Sequence, residues 1–258
     1  MQNNSENIQN KKIVVITGAS SGLGAALANK FSTNNFLVII LCRSEPQQEK
    51  INYDLWIKTD ITSKIDRKNA FQIISEKFGK CDVLINNAGM GGYATWLETT
   101  EKELKQLFEL NYFAVIEVTK TLFPLVEKAQ GTIINTSSIA GKIHVTCMGN
   151  YCASKYALNA FSDSLRAEIQ PKRVKVLNVI TGRVNTGFSS RALAKREVPN
   201  SPGGESTSPE KFANAVFKAY LKNKAQVYYP KWCRIAPLIV KLFPNFYDKK
   251  NRQKWHLE

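Results

Sequence analysis

The sequence predicts a single-domain α/β fold: a doubly wound parallel sheet with helices on both faces. Three observations lead there. Continuous apolar, β-branched runs alternate with helix-like stretches along the whole chain. A glycine-rich turn follows the first of these runs. The length of 258 residues suits one large core and is short for two.

Taken in order, the expected strands are residues 13–17, 36–41, 56–59, 81–86, 131–137, 174–180 and 227–229. The expected helices are residues 23–32, 68–78, 101–127, 151–169 and 209–222. The last opens on Ser208 as a cap, with Pro209 at the first helical position and Glu210 beside it. Strand–helix alternation implies right-handed crossovers and parallel strands. Residues 1–10 are polar and Asn-rich, without the basic and apolar blocks of a secretion signal, and are expected to be a disordered lead-in to a domain over 11–258. Residues 184–208 break the periodicity with Asn, Ser, Pro and paired glycines, as a functional loop does.

Composition narrows the function classes. No run nears the roughly twenty apolar residues of a membrane-spanning helix. Cys42, Cys81, Cys147, Cys152 and Cys233 are scattered, without CxxC pairs or histidine clusters. That argues for reduced thiols, a cytoplasmic location and no metal site. Lys and Arg number 36 against 21 Asp and Glu, a net charge of +15. The charges are spread rather than blocked and no nucleic-acid motif accompanies them, so nucleic acid is not an expected partner. A phosphorylated ligand or an anionic surface remains.

Residues 17–24 read Thr-Gly-Ala-Ser-Ser-Gly-Leu-Gly, between the first strand and the first helix. Gly18, Gly22 and Gly24 allow a tight turn and close backbone approach to a pyrophosphate. The helix N-terminus beyond, with Ser20, Ser21 and Leu23 around it, offers free N–H groups and a positive dipole end. Farther on, Tyr151 and Lys155 lie four apart and so share a helix face. A phenol has a pKa of about 10, and a neighbouring ammonium favours its ionised form, giving a tunable proton donor and acceptor. Ser138 precedes Tyr151 by thirteen residues, Asn86-Asn87-Ala88-Gly89 ends the fourth strand, and Thr181-Gly182-Arg183-Val184-Asn185-Thr186 follows the sixth.

Together these motifs, from about residue 13 to 186, resemble the short-chain dehydrogenase/reductase family, which has a Rossmann-like fold. The resemblance implies hydride transfer between a nicotinamide cofactor and a carbonyl or alcohol. It implies Ser138, Tyr151 and Lys155 as catalytic residues, with Asn111 as the fourth, whose backbone carbonyl holds a water relaying protons to the lysine. It implies Asn87, Ala88 and Gly89 at the cofactor's border, Asp60 and Ile61 at the adenine, and Gly182, Val184 and Thr186 at the carboxamide. Thr181 departs from the family's proline at that turn.

In a dinucleotide fold the end of the second strand faces the adenosine ribose, where a carboxylate repels a 2′-phosphate and an arginine accepts it. Here that strand ends Leu41-Cys42-Arg43-Ser44. Arg43, with Ser44 beside it, favours NADP(H). The expected substrate is a medium-to-large apolar ketone (3-oxoacyl, sterol-like or xenobiotic). An alcohol dehydrogenase working in oxidation and a non-catalytic nucleotide sensor are the alternatives. Met90, Tyr93, Trp96 and Met148 are candidate substrate-wall residues, while ordinary packing explains them equally well. His144, without an evident carboxylate partner, is not expected to act in catalysis. Residues 231–250 mix Trp, Phe, Tyr and Leu with Lys and Arg. Such a segment covers a pocket, joins a homodimer or homotetramer, or lies on a membrane surface.

Overall fold

The computed structural model describes residues 11–197, 199 and 207–257; the expected lead-in lies outside them. The central sheet has seven parallel strands: β1 (Lys12–Thr17), β2 (Phe36–Cys42), β3 (Leu55–Lys58), β4 (Val83–Asn86), β6 (Thr132–Ser138), β7 (Lys175–Thr181) and β9 (Gln226–Tyr229). Their spatial order is β3-β2-β1-β4-β6-β7-β9. The order reverses between β1 and β4, which leaves a crevice at the carboxyl ends of the strands, where open α/β sheets bind ligands. Register aligns those ends: Thr17 pairs with Leu41, Asn86 with Asn135, and Ser138 with Thr181.

The buried strands have no polar face because both faces are covered. Val14 and Ile16 of β1 join one core with Leu27, Ala28 and Phe31 of α1 (Gly22–Ser32) and Phe212, Val216 and Phe217 of α6 (Pro209–Leu221). Ile13 and Val15 point the other way. They meet Ile74 of α2 (Lys64–Phe78) and Val118, Leu122 and Val126 of α4 (Ala114–Lys128). A period of two along a wholly apolar run thus feeds two cores. The expected cap of α6 is present: the Ser208 hydroxyl accepts from Lys211 N–H at 3.2 Å.

Two expectations need correction. The helix expected over 101–127 is interrupted: α3 (Glu101–Phe108) runs into a π turn (Glu109–Phe113) before α4. Hydrophobic periodicity does not register a one-residue widening, whereas the pairing of Ala114 N–H with the Glu109 carbonyl does. The segment 184–208 is not without regular structure. Val184 bridges to Thr207, and β8 (Leu193–Ala194) pairs in parallel with β5 (Gly92–Tyr93); residues 198, 200 and 201–206 lie outside the described part. The tail, to which the sequence assigned no conformation, folds into a short turn, Lys231–Arg234, and two helices, α7 (Ala236–Leu242) and α8 (Pro244–Lys254).

Candidate active site

The turn between β1 and α1 is shaped by backbone sterics. Gly18 and Gly22 take φ of +66° and +62°, where L-residues are rare. A Cβ on Gly18 would lie 2.7 Å from Ala88 Cα, and one on Gly24 would lie 2.5 Å from the Gly18 carbonyl oxygen. Asn87 fixes the turn from the neighbouring strand: its side-chain amide donates to the Thr17 and Gly18 carbonyls at 3.2 and 3.0 Å. The Thr17 hydroxyl accepts from the N–H groups of Asn87 and Ala88 at 3.0 and 3.1 Å. The first turn of α1 contains no acidic residue, so its positive end is left for an anion. Ser21, the cap residue, makes no side-chain bond to its own helix; its hydroxyl is held by the Arg191 guanidinium.

A cleft of about 650 Å³ opens above this turn. Gly18, Ser20, Ser21 and Leu23 line it, whereas Gly22 and Gly24 form the turn behind its wall. Arg43, Ser44, Asp60 and Ile61 line one end. Asp60 accepts from the backbone and hydroxyl of Thr62 at 3.0 and 2.8 Å, and the buried Arg67 donates to the Ile61 carbonyl at 2.7 Å. These bonds fix the floor of that end. Asn87, Ala88, Gly89, Gly182, Val184 and Thr186 also face the cleft. Thr181, in the place of the family's proline, remains the last residue of β7, paired with Ser138 and Tyr229.

At the opposite end stand Ser138, Tyr151 and Lys155, all buried. Ser138 ends β6, and its hydroxyl accepts from Ala140 N–H at 3.1 Å. Tyr151 and Lys155 lie on α5 (Gly149–Glu168). The Lys155 Nζ sits 5.9 Å from the Tyr151 ring centre and donates to the Thr136 carbonyl at 3.1 Å. Burial pushes the tyrosine pKa well above its usual value, with Ser138 pulling it part of the way back. Burial also lowers Lys155 to about 8. Asn111, in the π turn, is fully buried outside the cleft wall. Its side chain accepts from Met90 N–H and donates to the Met90 carbonyl, both at 2.9 Å. Its amide also donates to the Ser154 hydroxyl at 3.2 Å, so the side chain is committed to holding the Met90 backbone and α5.

Met90, Tyr93 and Met148 line the cleft and also pack in small apolar clusters beside it. Trp96 does not: it is 79% exposed and outside the cleft. His144 has a carboxylate partner after all, Asp248 at 2.7 Å, supplied by α8 more than a hundred residues away. The pair lies outside the cleft and ties down the tail. Sequence reasoning missed Phe188, Arg191, Asn251, Lys254 and Trp255, which also line the cleft. They come from the loop and from α8, and no local motif marks them. The loop is anchored by Arg196, whose fork meets Glu98 at 2.8 to 3.1 Å. Arg196 and Thr95 together hold the Glu98 carboxyl at about 2.

A crevice at the strand reversal, closed at one end by a buried tyrosine–lysine pair, belongs to oxidoreductases built on a dinucleotide-binding sheet. The chain is a member of the short-chain dehydrogenase/reductase family: the short chain dehydrogenase family matches residues 12–197. It is 34% identical over 216 residues to a "Probable short-chain type dehydrogenase/reductase VdlC" from Helicobacter pylori, covering 82% of this chain and 80% of that one. It is 39% identical over 180 residues to a 3-ketodihydrosphingosine reductase from Bacteroides thetaiotaomicron, covering 69% and 66%. A solved short-chain dehydrogenase from Streptomyces avermitilis superposes with a TM-score of 0.76 at 26% identity, covering 95% and 97%.

Proposed function

We propose that the protein reduces a medium-to-large apolar ketone with NADPH. The observation that carries this reading is the Ser138–Tyr151–Lys155 cluster, buried at the end of a cleft whose neighbouring wall is Met90, Val145, Met148 and Phe188. Burial raises the Tyr151 pKa, so the phenol carries the proton that it would give to a substrate oxygen in the reductive direction.

The cleft fits a nicotinamide dinucleotide. Beyond the glycine turn and the uncompensated helix end, the hydroxyls of Thr136 and Ser137 are buried in the cleft wall with no protein partner. Gly18, Ser20, Ser21, Leu23, Asn87, Ala88 and Gly89 would hold its phosphates and ribose, and Asp60 and Ile61 its adenine. Gly182, Val184 and Thr186 would hold its carboxamide. Arg43 and Ser44, with Cys42 where a carboxylate would exclude a 2′-phosphate, favour NADP(H) over NAD(H). When bound, the cofactor supplies or accepts the hydride. Tyr151 gives its proton to the substrate oxygen and Ser138 holds that oxygen by its hydroxyl. Lys155, protonated below about pH 8, stabilises the phenolate left on Tyr151. The backbone at Asn111 would place the water that returns the proton.

The substrate class is supported by the apolar wall and by similarity to a relative named as a ketone reductase. A cytoplasmic setting is supported by five free, buried cysteines. Exposed Leu104, Phe113 and Tyr156 on α3, the π turn and α5 offer apolar area for a homodimer or homotetramer. The test is a panel of apolar ketones and the matching alcohols, followed by absorbance with NADPH and NADH. Ketone reduction with NADPH is expected. Tyr151→Phe should lower turnover about a hundred- to ten-thousand-fold while NADPH still binds. Near-normal turnover of that variant, or faster alcohol oxidation with NAD, would overturn the reading.

A further inference from the structure

The two tail helices use opposite faces differently. Inward, Cys233, Val240 and Trp255 are buried, and Trp255 stacks on Tyr93 with ring centres 6.3 Å apart. Asn251, Lys254 and Trp255 of this unit line the cleft. The Tyr247 hydroxyl donates to the His144 carbonyl at 2.8 Å, beside the Asp248–His144 pair. The unit is thus fastened to the body and is not a frayed end.

Outward, Ile235, Leu238, Ile239, Leu242, Phe243 and Phe246 are each more than half exposed. Ile235, Leu238, Ile239 and Leu242, three and four apart, share one face of α7 and the residue before it, while Phe243 and Phe246 follow at the break between the helices and the start of α8. Six large apolar side chains exposed within twelve consecutive residues form an apolar stripe along the tail that exceeds the scattered singles of an ordinary surface. The polar residues around the stripe are strongly one-signed. Residues 231–254 carry seven Lys and Arg against one carboxylate, Asp248, which is already paired with His144.

We propose that this face docks on an anionic bilayer. The apolar stripe supplies insertion, and the basic surround, with Trp232 exposed beside it, supplies attraction to acidic headgroups. The charge argues against a second copy of the chain as the occupant, because a two-fold contact would bring two basic surrounds together. No helix among the described residues is long and apolar enough to cross a membrane, so the contact is peripheral. Since the same helices form part of the cleft wall, docking sets the active-site rim at the lipid surface, where an apolar ketone would be drawn from the bilayer. That last step rests on the proposed substrate class; the docking itself does not.

The experiment is co-sedimentation of the full chain with phosphatidylcholine vesicles, with and without phosphatidylserine, at rising salt. Binding is expected on the anionic vesicles and should weaken as the screening length falls from about 10 Å at 0.1 M to about 3 Å at 1 M. The variant Lys231→Gln/Arg234→Gln/Lys241→Gln should bind them on the order of a hundredfold more weakly, at about fivefold per basic residue. Leu238→Glu/Leu242→Glu should abolish binding. NADPH binding by both variants, followed by fluorescence, shows that they remain folded. Full-length protein that stays in the supernatant with both vesicle types overturns the proposal. So does a Leu238→Glu/Leu242→Glu protein that elutes as a smaller species in gel filtration, since the face is then a contact between copies. Vesicle binding without ketone reduction would leave docking standing and sink the substrate reading; reduction without vesicle binding would do the reverse.

Discussion

Lys155 is 5% exposed, donates to the Thr136 carbonyl at 3.1 Å and has no carboxylate against it in the described ion pairs. Burial lowers its pKa from 10.5 to about 8. At 1.36 kcal/mol per unit, keeping it charged in the native state costs about 3 kcal/mol at neutral pH. Lys155→Met keeps an unbranched chain of similar reach and removes the charge. The unpaired Thr136 carbonyl takes back about 1 kcal/mol. A net gain of about 2 kcal/mol remains, or about 4–8 °C in Tm for a chain of this size. The sign with pH follows from the lowered pKa. Below pH 8 the lysine is protonated in both the folded and unfolded states, and the full cost is present. Between pH 8 and 10.5 only the unfolded chain keeps the proton, so the wild type gains on the variant; above that the cost is gone. The assay is thermal denaturation of both proteins without cofactor at pH 7 and pH 9.5. A variant no more stable at pH 7, or a difference independent of pH, would refute the reasoning. Turnover should be lost at both pH values, the stability–function conflict common at catalytic sites.

Arg43→Ala should weaken NADPH about ten- to a hundredfold, the worth of a charge-assisted bond to phosphate, and leave NADH nearly unchanged in fluorescence titrations. Equal weakening of both would show that Arg43 does not meet the 2′-phosphate. Gly18→Ala forces a Cβ to within 2.7 Å of backbone at positive φ, and should cost about 1–3 kcal/mol in thermal denaturation together with NADPH binding. An unchanged variant would mean that the turn is looser than drawn. Glu98→Gln should release the loop, seen as faster proteolysis within 184–197 and a higher KM with a smaller change in kcat. Because the Glu98 carboxyl is held at about 2, its contribution in the wild type is full above the ordinary carboxylate range and lost as pH falls through about 2. Loop protection that disappears at pH 5 would contradict the anchor.

The sheet was legible because its central strands are buried on both faces, so local apolar pattern and global position agree. The glycine turn, Ser138, Tyr151 and Lys155 were legible for a similar reason: each sits at a fixed place relative to a strand end or a helix turn. The 101–127 stretch reads as one helix because a π turn adds a single residue to a repeat and leaves the apolar spacing almost unaltered. His144 looked alone because its partner, Asp248, is distant in sequence and meets it only through the packing of α8.

By itself, then, the sequence determined the sheet, the glycine turn and the placing of Ser138, Tyr151 and Lys155 on their strand end and helix face, since backbone conformation and helix periodicity depend on near neighbours in the chain. Tertiary structure alone decided what surrounds that cluster. It brought Arg191 to Ser21, set Trp255 against Tyr93, put Asn251 and Lys254 in the cleft wall, and left Trp96 outside it. It also decided which side of the tail turns inward. α7 carries apolar residues around most of its circumference, and only packing against the body selects Val240 there, and Trp255 just past α8, for burial and leaves Leu238 and Phe246 exposed. Such contacts join segments tens to hundreds of residues apart, and their free energy comes from shape and burial that no local pattern encodes.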